Sequence, residues 1–229
     1  MKYEAIIFDL FGTLVDNYDL IGYASSLRET SSLLKLHHED FMKLWNDTAP
    51  KRAIGGFKTL EELYEYICRE LNVPVKKFDI NLAKMVRYDY ISLSLTPRQY
   101  TLETLSEIKK HKYKVGLISV CGLETPELWP QTPLAPFFDV TLFSSVIGVQ
   151  KPDPRVFQMA CEQLGVKPES CLYVDDTAKN LTAAAGLGMT SVLYRNPEET
   201  EYPGVVRPKE EWDGTSITSL PEVFDLLEG

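Results

Sequence analysis

Five short runs of apolar and β-branched residues recur along this chain, at 5–11, 115–120, 140–144, 172–174 and 191–194, with helix-length stretches between them. Nearly continuous apolar runs belong to strands buried on both faces, and those occur in parallel sheets covered by helices on each side. The intervening stretches carry helical spacing, as in Leu102, Leu105 and Ile108, then Val156, Phe157, Ala160 and Leu164. Each therefore offers one apolar stripe to a sheet. Strand and helix in alternation predict a doubly wound α/β fold with a parallel sheet. At 229 residues, 44% of them hydrophobic and 25% charged, the chain has material for such a core and a smaller second unit.

One region breaks the alternation. Between about 18 and 94 no convincing strand is found, only helical stretches such as Phe41 to Trp45 and Thr59 to Leu71. The second opens on Thr59-Leu60-Glu61-Glu62, an N-cap with glutamate at the third helical position, and runs to Asn72 and Pro74. The expected organisation is an α/β core made of residues 1–16 and 95–229, with an all-helical cap domain, 17–94, inserted after the first strand. Such an insert would overlie the carboxyl ends of the strands, where open α/β sheets bind ligands. His37 and His38 read as a solvated helix start. Ile54-Gly55-Gly56-Phe57 reads as an interhelical turn or a mobile loop facing the site, and Tyr64, Tyr66, Tyr88 and Tyr90 as packing within the cap. The segment with Thr125-Pro126, Pro130 and Pro133 and the acidic, Pro-containing stretch 197–214 are expected to be loops.

The net charge is −9, which repels nucleic-acid backbones and anionic lipid in the absence of a local basic patch. Cys68, Cys121, Cys161 and Cys171 lie far apart with no Cys-x-x-Cys pair, the usage expected of a reduced, cytoplasmic protein. No apolar run nears the roughly 20 residues of a membrane span, and no signal-like segment precedes the first strand. Three histidines leave little for a His-based zinc site. The expected partner is a small molecule, bound by a monomer or homodimer.

Carboxylates stand where two apolar runs end. Asp9 closes the first, ahead of Gly12-Thr13, which permit a tight turn, and Asp175-Asp176 close the fourth. An ionised carboxylate after a buried strand needs a cation or donors nearby; for Asp9 alone, capping a turn would serve equally well. In a parallel sheet these ends share one rim, so Asp9, Asp175 and Asp176 would converge and repel one another unless a divalent cation neutralised them. Oxygen-only ligands select Mg²⁺ over zinc. Ser119 lies at the end of the second run, and Lys151 follows the third, ahead of Asp153-Pro154, a helix start. A hydroxyl, an ammonium and a cation-bound carboxylate together would bind a transferring phosphoryl group.

The ordered set Asp9, Ser119, Lys151 and Asp175-Asp176 at successive strand ends resembles the haloacid dehalogenase superfamily, over nearly the whole chain and with a helical cap after the first motif. The resemblance implies a Rossmann-like core and a mostly Mg²⁺-dependent hydrolase of small organic phosphates or acids. The family's first motif, Asp-x-Asp-x-Thr, here runs Asp9-Leu10-Phe11-Gly12-Thr13. By resemblance, Asp9 is the nucleophile that forms an aspartyl-phosphate, Ser119 holds phosphoryl oxygens, and Lys151 steadies Asp9 and the phosphate. Thr13 and Val120 join Ser119 and Lys151 in substrate binding. Asp176 is the acidic Mg²⁺ ligand, with Asp175 in support, and Asp9 and the Phe11 carbonyl complete the metal set. Asp16 and the start of the cap hinge match a common extension of the first motif.

One position departs from the pattern. Where phosphatases of this family carry a second Asp as general acid and base, this chain has Phe11, which transfers no proton, a loss of about 10²–10⁴-fold for such a role. The superfamily's dehalogenases also lack that Asp and have an aromatic residue there, since halide leaves unprotonated. Against a dehalogenase, Asp175-Asp176 resembles the metal-binding form of the last motif, and Val120 replaces a usual Asn. Trp45 is followed by Asn46 rather than Arg, with Lys51 and Arg52 further on. Three readings follow: an Mg²⁺-dependent phosphohydrolase slowed by Phe11, a 2-haloacid dehalogenase with Asp9 as nucleophile, and a binding or regulatory protein that keeps the fold without catalysis.

Overall fold

Ala5–Phe8, four apolar residues in succession, form the strand β1 with no exposed position. The chain then leaves the sheet for five helices: α1 (Leu20–Leu33), α2 (His38–Asp47), α3 (Ala49–Ala53), α4 (Leu60–Glu70) and α5 (Lys77–Ser94). These pack around an apolar cluster of their own, built on Leu27, Phe41, Trp45, Leu63, Tyr64 and Ile67. The structure is a computed structural model that describes residues 2–17, 19–195 and 211–228. Among the described residues this segment holds no strand, as the sequence pattern requires; Tyr18 lies outside them.

The start of α4 follows from its first four residues. The Thr59 hydroxyl accepts from the Glu62 N–H at 3.1 Å, and Glu62 reaches back to accept from the Lys58 N–H at 2.6 Å. Thr59→Ala is expected to destabilise the protein by about 1 kcal/mol, seen as a lower urea midpoint at unchanged slope. His37 and His38 begin α2 as expected, with His38 Nδ1 3.0 Å from Ser31 Oγ.

Re-entry lies beside the exit. Val15 bridges Pro97, the Arg98 N–H donates to Leu14 O at 3.0 Å, and the Arg98 guanidinium pairs with Asp16 at 2.9 Å. Thereafter the chain alternates through α6 (Thr101–Lys110), β2 (Lys114–Ser119), α7 (Glu124–Leu128), β3 (Val140–Phe143), α8 (Ser144–Ile147) and α9 (Pro154–Leu164). It continues with β4 (Cys171–Asp175), α10 (Ala178–Ala185), β5 (Thr190–Tyr194), β6 (Ser216–Ile217) and α11 (Val223–Glu228). The strands are parallel, in the order β3-β2-β1-β4-β5-β6. Side chains alternate between faces. Ile6, Phe8, Leu117 and Val174 point to the cluster shared with α6 and α11, and Ala5, Ile7, Ile118 and Tyr173 to the one shared with α9 and α10.

Some expectations need correction. The Pro-rich segment is not plain loop: Glu124–Leu128 is helical, and Trp129–Gln131 and Ala135–Phe137 are 3₁₀ turns, because proline in a first turn removes no helical hydrogen bond. The two-residue β6, too short to leave a pattern, extends the sheet by pairing Leu193 with Ser216. Of the expected loop 197–214, only 211–214 falls within the described residues. Ile54 to Phe57 is an interhelical turn in which Gly55 has φ +72°, and a Cβ there would lie 2.4 Å from Ser145 O.

Helix α5 belongs to both bodies. Ile91, with Leu95 just past the helix end, enters the sheet's cluster, while buried Arg87 pairs with buried Glu124 at 3.0 Å and donates to Ser26 Oγ at 2.9 Å. The tyrosines divide accordingly, which corrects the expectation that all four pack within the cap. Tyr64 is fully buried among the insert's helices, and Tyr66 and Tyr88 pack on their cluster, Tyr88 also donating to Glu127 of α7, but Tyr90 packs on the sheet's cluster. Among the described residues no helix is long and apolar enough to cross a membrane.

Candidate active site

β1 and β4 are neighbours at the point where strand order reverses, with β2 and β3 to one side and β5 and β6 to the other. The crevice beyond the carboxyl ends of such strands is where open α/β sheets take ligands. Asp9 stands there, its N–H donating to Val174 O at 2.9 Å. The chain then turns at once, Leu14 N–H donating to Leu10 O at 2.9 Å, and Gly12 adopts φ +90°. A Cβ at residue 12 would lie 2.1 Å from Asp176 Oδ2, so both the backbone angle and the carboxylate's approach require glycine. Ser119 ends β2, Asp175 ends β4, and Lys151 arrives from the loop between α8 and α9.

Lys151 is only 5% exposed and donates to Asp9 Oδ1 at 2.5 Å and to Asp175 Oδ2 at 2.7 Å. Burial works against its charge, but the Asp175 and Asp9 carboxylates outweigh that and hold the ammonium above the ordinary lysine range. Burial pushes Asp9 up to about 7, with Lys151 opposing the rise and Asp175 and Asp176 adding to it. Asp176, partly buried, is raised by the same desolvation and by Asp175. Thr13 is fully buried, and its hydroxyl donates to Asp9 Oδ2 at 3.2 Å. Asp175 accepts from Lys151, the Tyr173 hydroxyl, Thr177 N–H at 2.8 Å and Asn180 Nδ2 at 3.1 Å.

Ser119 Oγ is buried against the Cys121 thiol, a weak partner, and forms no hydrogen bond to an oxygen or nitrogen among the described residues. An orphaned buried hydroxyl costs about 1–3 kcal/mol, which the oxygen of a bound anion would relieve. Val120, the next residue, is 39% exposed. Oxygens of Asp9, Asp175 and Asp176 lie within 4.8 Å of one another. Three carboxylates against one ammonium leave an excess of two negative charges when all are ionised, and the donors are all hard oxygens. Charge and donor type both fit a divalent ion such as Mg²⁺.

The structure thus brings Asp9, Thr13, Lys151, Asp175 and Asp176 into one cluster, with Ser119 at the same edge of the sheet. Phe11, almost fully buried, enters the sheet's apolar cluster. Sequence reasoning missed Tyr173 and Asn180, which hold Asp175, and Asn17, whose Nδ2 is 3.5 Å from Asp176 Oδ2. Tyr173 did leave a signal, a hydroxyl inside an otherwise apolar strand; Asn17 left none. In the insert, the Arg52 guanidinium lies 3.8 Å above the Trp45 ring and donates to the Trp45 carbonyl, so an arginine–tryptophan contact that is missing from the residue order exists in space.

A family model described as haloacid dehalogenase-like hydrolase matches residues 3–188. The chain belongs to that family. The parallel α/β fold, expected from the alternation of strand and helix, and the membership and hydrolase class, expected from the strand-end motifs, are borne out, and the non-catalytic reading gives way to an enzyme. This haloacid dehalogenase-like hydrolase is 29% identical over 231 residues to phosphatase MT3486 of Mycobacterium tuberculosis, covering 98% of each chain. It is 26% identical over 235 residues to (S)-2-haloacid dehalogenase 4A of Burkholderia cepacia, covering 98% of this chain and 94% of the other. HAD family enzyme bt-2542 of Bacteroides thetaiotaomicron, solved in complex with magnesium and inorganic phosphate, has the same fold. Its TM-score is 0.64 at 20% identity, over 87% of this chain and 98% of the other.

Proposed function

We propose that this hydrolase is an Mg²⁺-dependent phosphohydrolase acting on a small organic phosphate through an aspartyl-phosphate at Asp9, with 17–94 as a cap over a core of 1–16 and 95–229. The observation that carries the reading is the cluster of Asp9, Lys151, Asp175 and Asp176 with the orphaned Ser119 hydroxyl at one sheet edge. Lys151 and Thr13 each hold one Asp9 oxygen, which fixes the plane of the carboxylate. Asp9 attacks phosphorus, the bond to the leaving oxygen breaks, and that oxygen departs with its electron pair. Ser119 donates to a phosphoryl oxygen, and Lys151 offsets the charge that develops there. Phe11 offers no proton, so turnover falls on how well the leaving group carries its own charge. Water then cleaves the aspartyl-phosphate and restores Asp9. Asp9, Asp176 and the Phe11 carbonyl, with Asp175 behind them, would hold Mg²⁺, which would supply charge neutralisation.

The test is hydrolysis of an aryl phosphate, whose good leaving group makes Phe11 matter least. Turnover is expected with Mg²⁺ and none with EDTA; EDTA-resistant turnover overturns the reading. Mg²⁺ is also expected to stabilise the fold, by about 2.7 kcal/mol at a hundred times its Kd, as a raised Tm that Asp176→Asn abolishes.

A second reading, a 2-haloacid dehalogenase, is favoured by Phe11 and by the similarity to (S)-2-haloacid dehalogenase 4A. Halide needs no proton to leave, and Arg52 on Trp45 offers a cation for a substrate carboxylate. It requires metal-independent halide release from 2-chloropropionate, and background-level release ends it.

A further inference from the structure

Away from the strand-end cluster, Cys161 on α9 and Cys171 at the start of β4 have their Sγ atoms 3.7 Å apart, and both residues are buried. Their backbones are held independently of the sulphurs. Helix α9 ends at Leu164, Gly165 takes φ +63°, and the Val166 N–H returns to Cys161 O at 3.0 Å. The turn Pro168–Ser170 then leads into β4, whose first residue pairs in register with Ala5 of β1. Two small apolar side chains would fill this space as well; sulphur adds the option of a bond. A disulfide needs Sγ atoms at about 2.05 Å, so the two sulphurs have to approach further for the bond to form.

We propose that Cys161 and Cys171 are a thiol pair that hydrogen peroxide converts to a disulfide, at the sheet edge opposite the strand-end carboxylates. The Cys161 thiolate attacks one peroxide oxygen, the O–O bond breaks and hydroxide leaves, giving a sulfenic acid. The Cys171 sulphur displaces the sulfenic oxygen, the S–S bond forms, and that oxygen leaves as water with the Cys171 proton, while the hydroxide of the first step takes up the proton that Cys161 lost, so that two waters form in all. Each sulphur loses one electron and peroxide gains two. Cys161 is the attacking group. Its contact with Cys171 draws its thiol below the ordinary range, while the same contact pushes Cys171 up. The bond joins α9, whose start follows Lys151, to β4, whose end is Asp175, at the ends remote from both. It therefore staples the unit that carries these residues without touching the chemistry.

The full-length native protein is treated with hydrogen peroxide, and its intact mass and digested peptides are compared with an untreated sample. Expected is a loss of about 2 Da, a cross-linked peptide pair containing 161 and 171, and a Tm raised by about 5–10 °C, all reversed by dithiothreitol. Cys161→Ser and Cys171→Ser each abolish the link, while Cys68→Ser keeps it. Four thiols still titratable after treatment, oxygen added to Cys161 without a cross-link, or a bond involving Cys68 or Cys121 would each overturn the proposal.

Discussion

Asp9→Asn is expected to lower aryl phosphate turnover by about 10⁴-fold or more, since no other group takes over a nucleophile's role. The amide keeps the shape of the carboxylate but not its electron-rich oxygen pair. The substitution separates chemistry from folding. Burial already disfavours the ionised form of Asp9, with a pKa of about 7, so losing the charge relieves the crowding with Asp175 and Asp176. Lys151 keeps its 2.7 Å bond to Asp175. The metal-free variant is therefore expected to melt no earlier than the parent. Turnover within tenfold of the parent in a folded variant would remove Asp9, and with it the aspartyl-phosphate.

Phe11→Asp is expected to act in the opposite direction and to depend on the leaving group. With an alkyl phosphate, whose alkoxide departs poorly without a proton, turnover is expected to rise by about 10²–10⁴-fold, the range of a positioned general acid. With an aryl phosphate the gain is expected to be slight. The change removes a ring that is 9% exposed and packed in the sheet's cluster, so stability falls by about 3–5 kcal/mol, as for a buried Phe cut to a small side chain. Rates are accordingly compared well below the variant's Tm. An unchanged alkyl phosphatase rate in the folded variant would place the acid and base on another residue or on water.

The parallel strands were legible because burial on both faces leaves uninterrupted apolar runs such as Ala5–Phe8, and the start of α4 because capping is settled within the four residues from Thr59. Strand ends share a rim in any parallel sheet, so Asp9, Ser119 and Asp175 could be placed together before any coordinates. The Pro-rich segment read as loop because composition does not show whether a proline sits in a helix's first turn or its middle. Leu123, in the loop after β2, joins the insert's cluster rather than the sheet's, a partnership that no periodicity records.

The sequence by itself determined the class of fold, the helical interruption after the first strand and the residue types along the sheet's rim, since each depends on neighbours a few positions apart. Only the tertiary structure decided which carboxylates Lys151 holds, that Tyr173 and Asn180 restrain Asp175, that Arg87 meets Glu124, and that the Cys161 and Cys171 sulphurs touch. Such contacts are set by how helices and strands pack in three dimensions, where a separation of 142 residues and one of 10 give equally short distances.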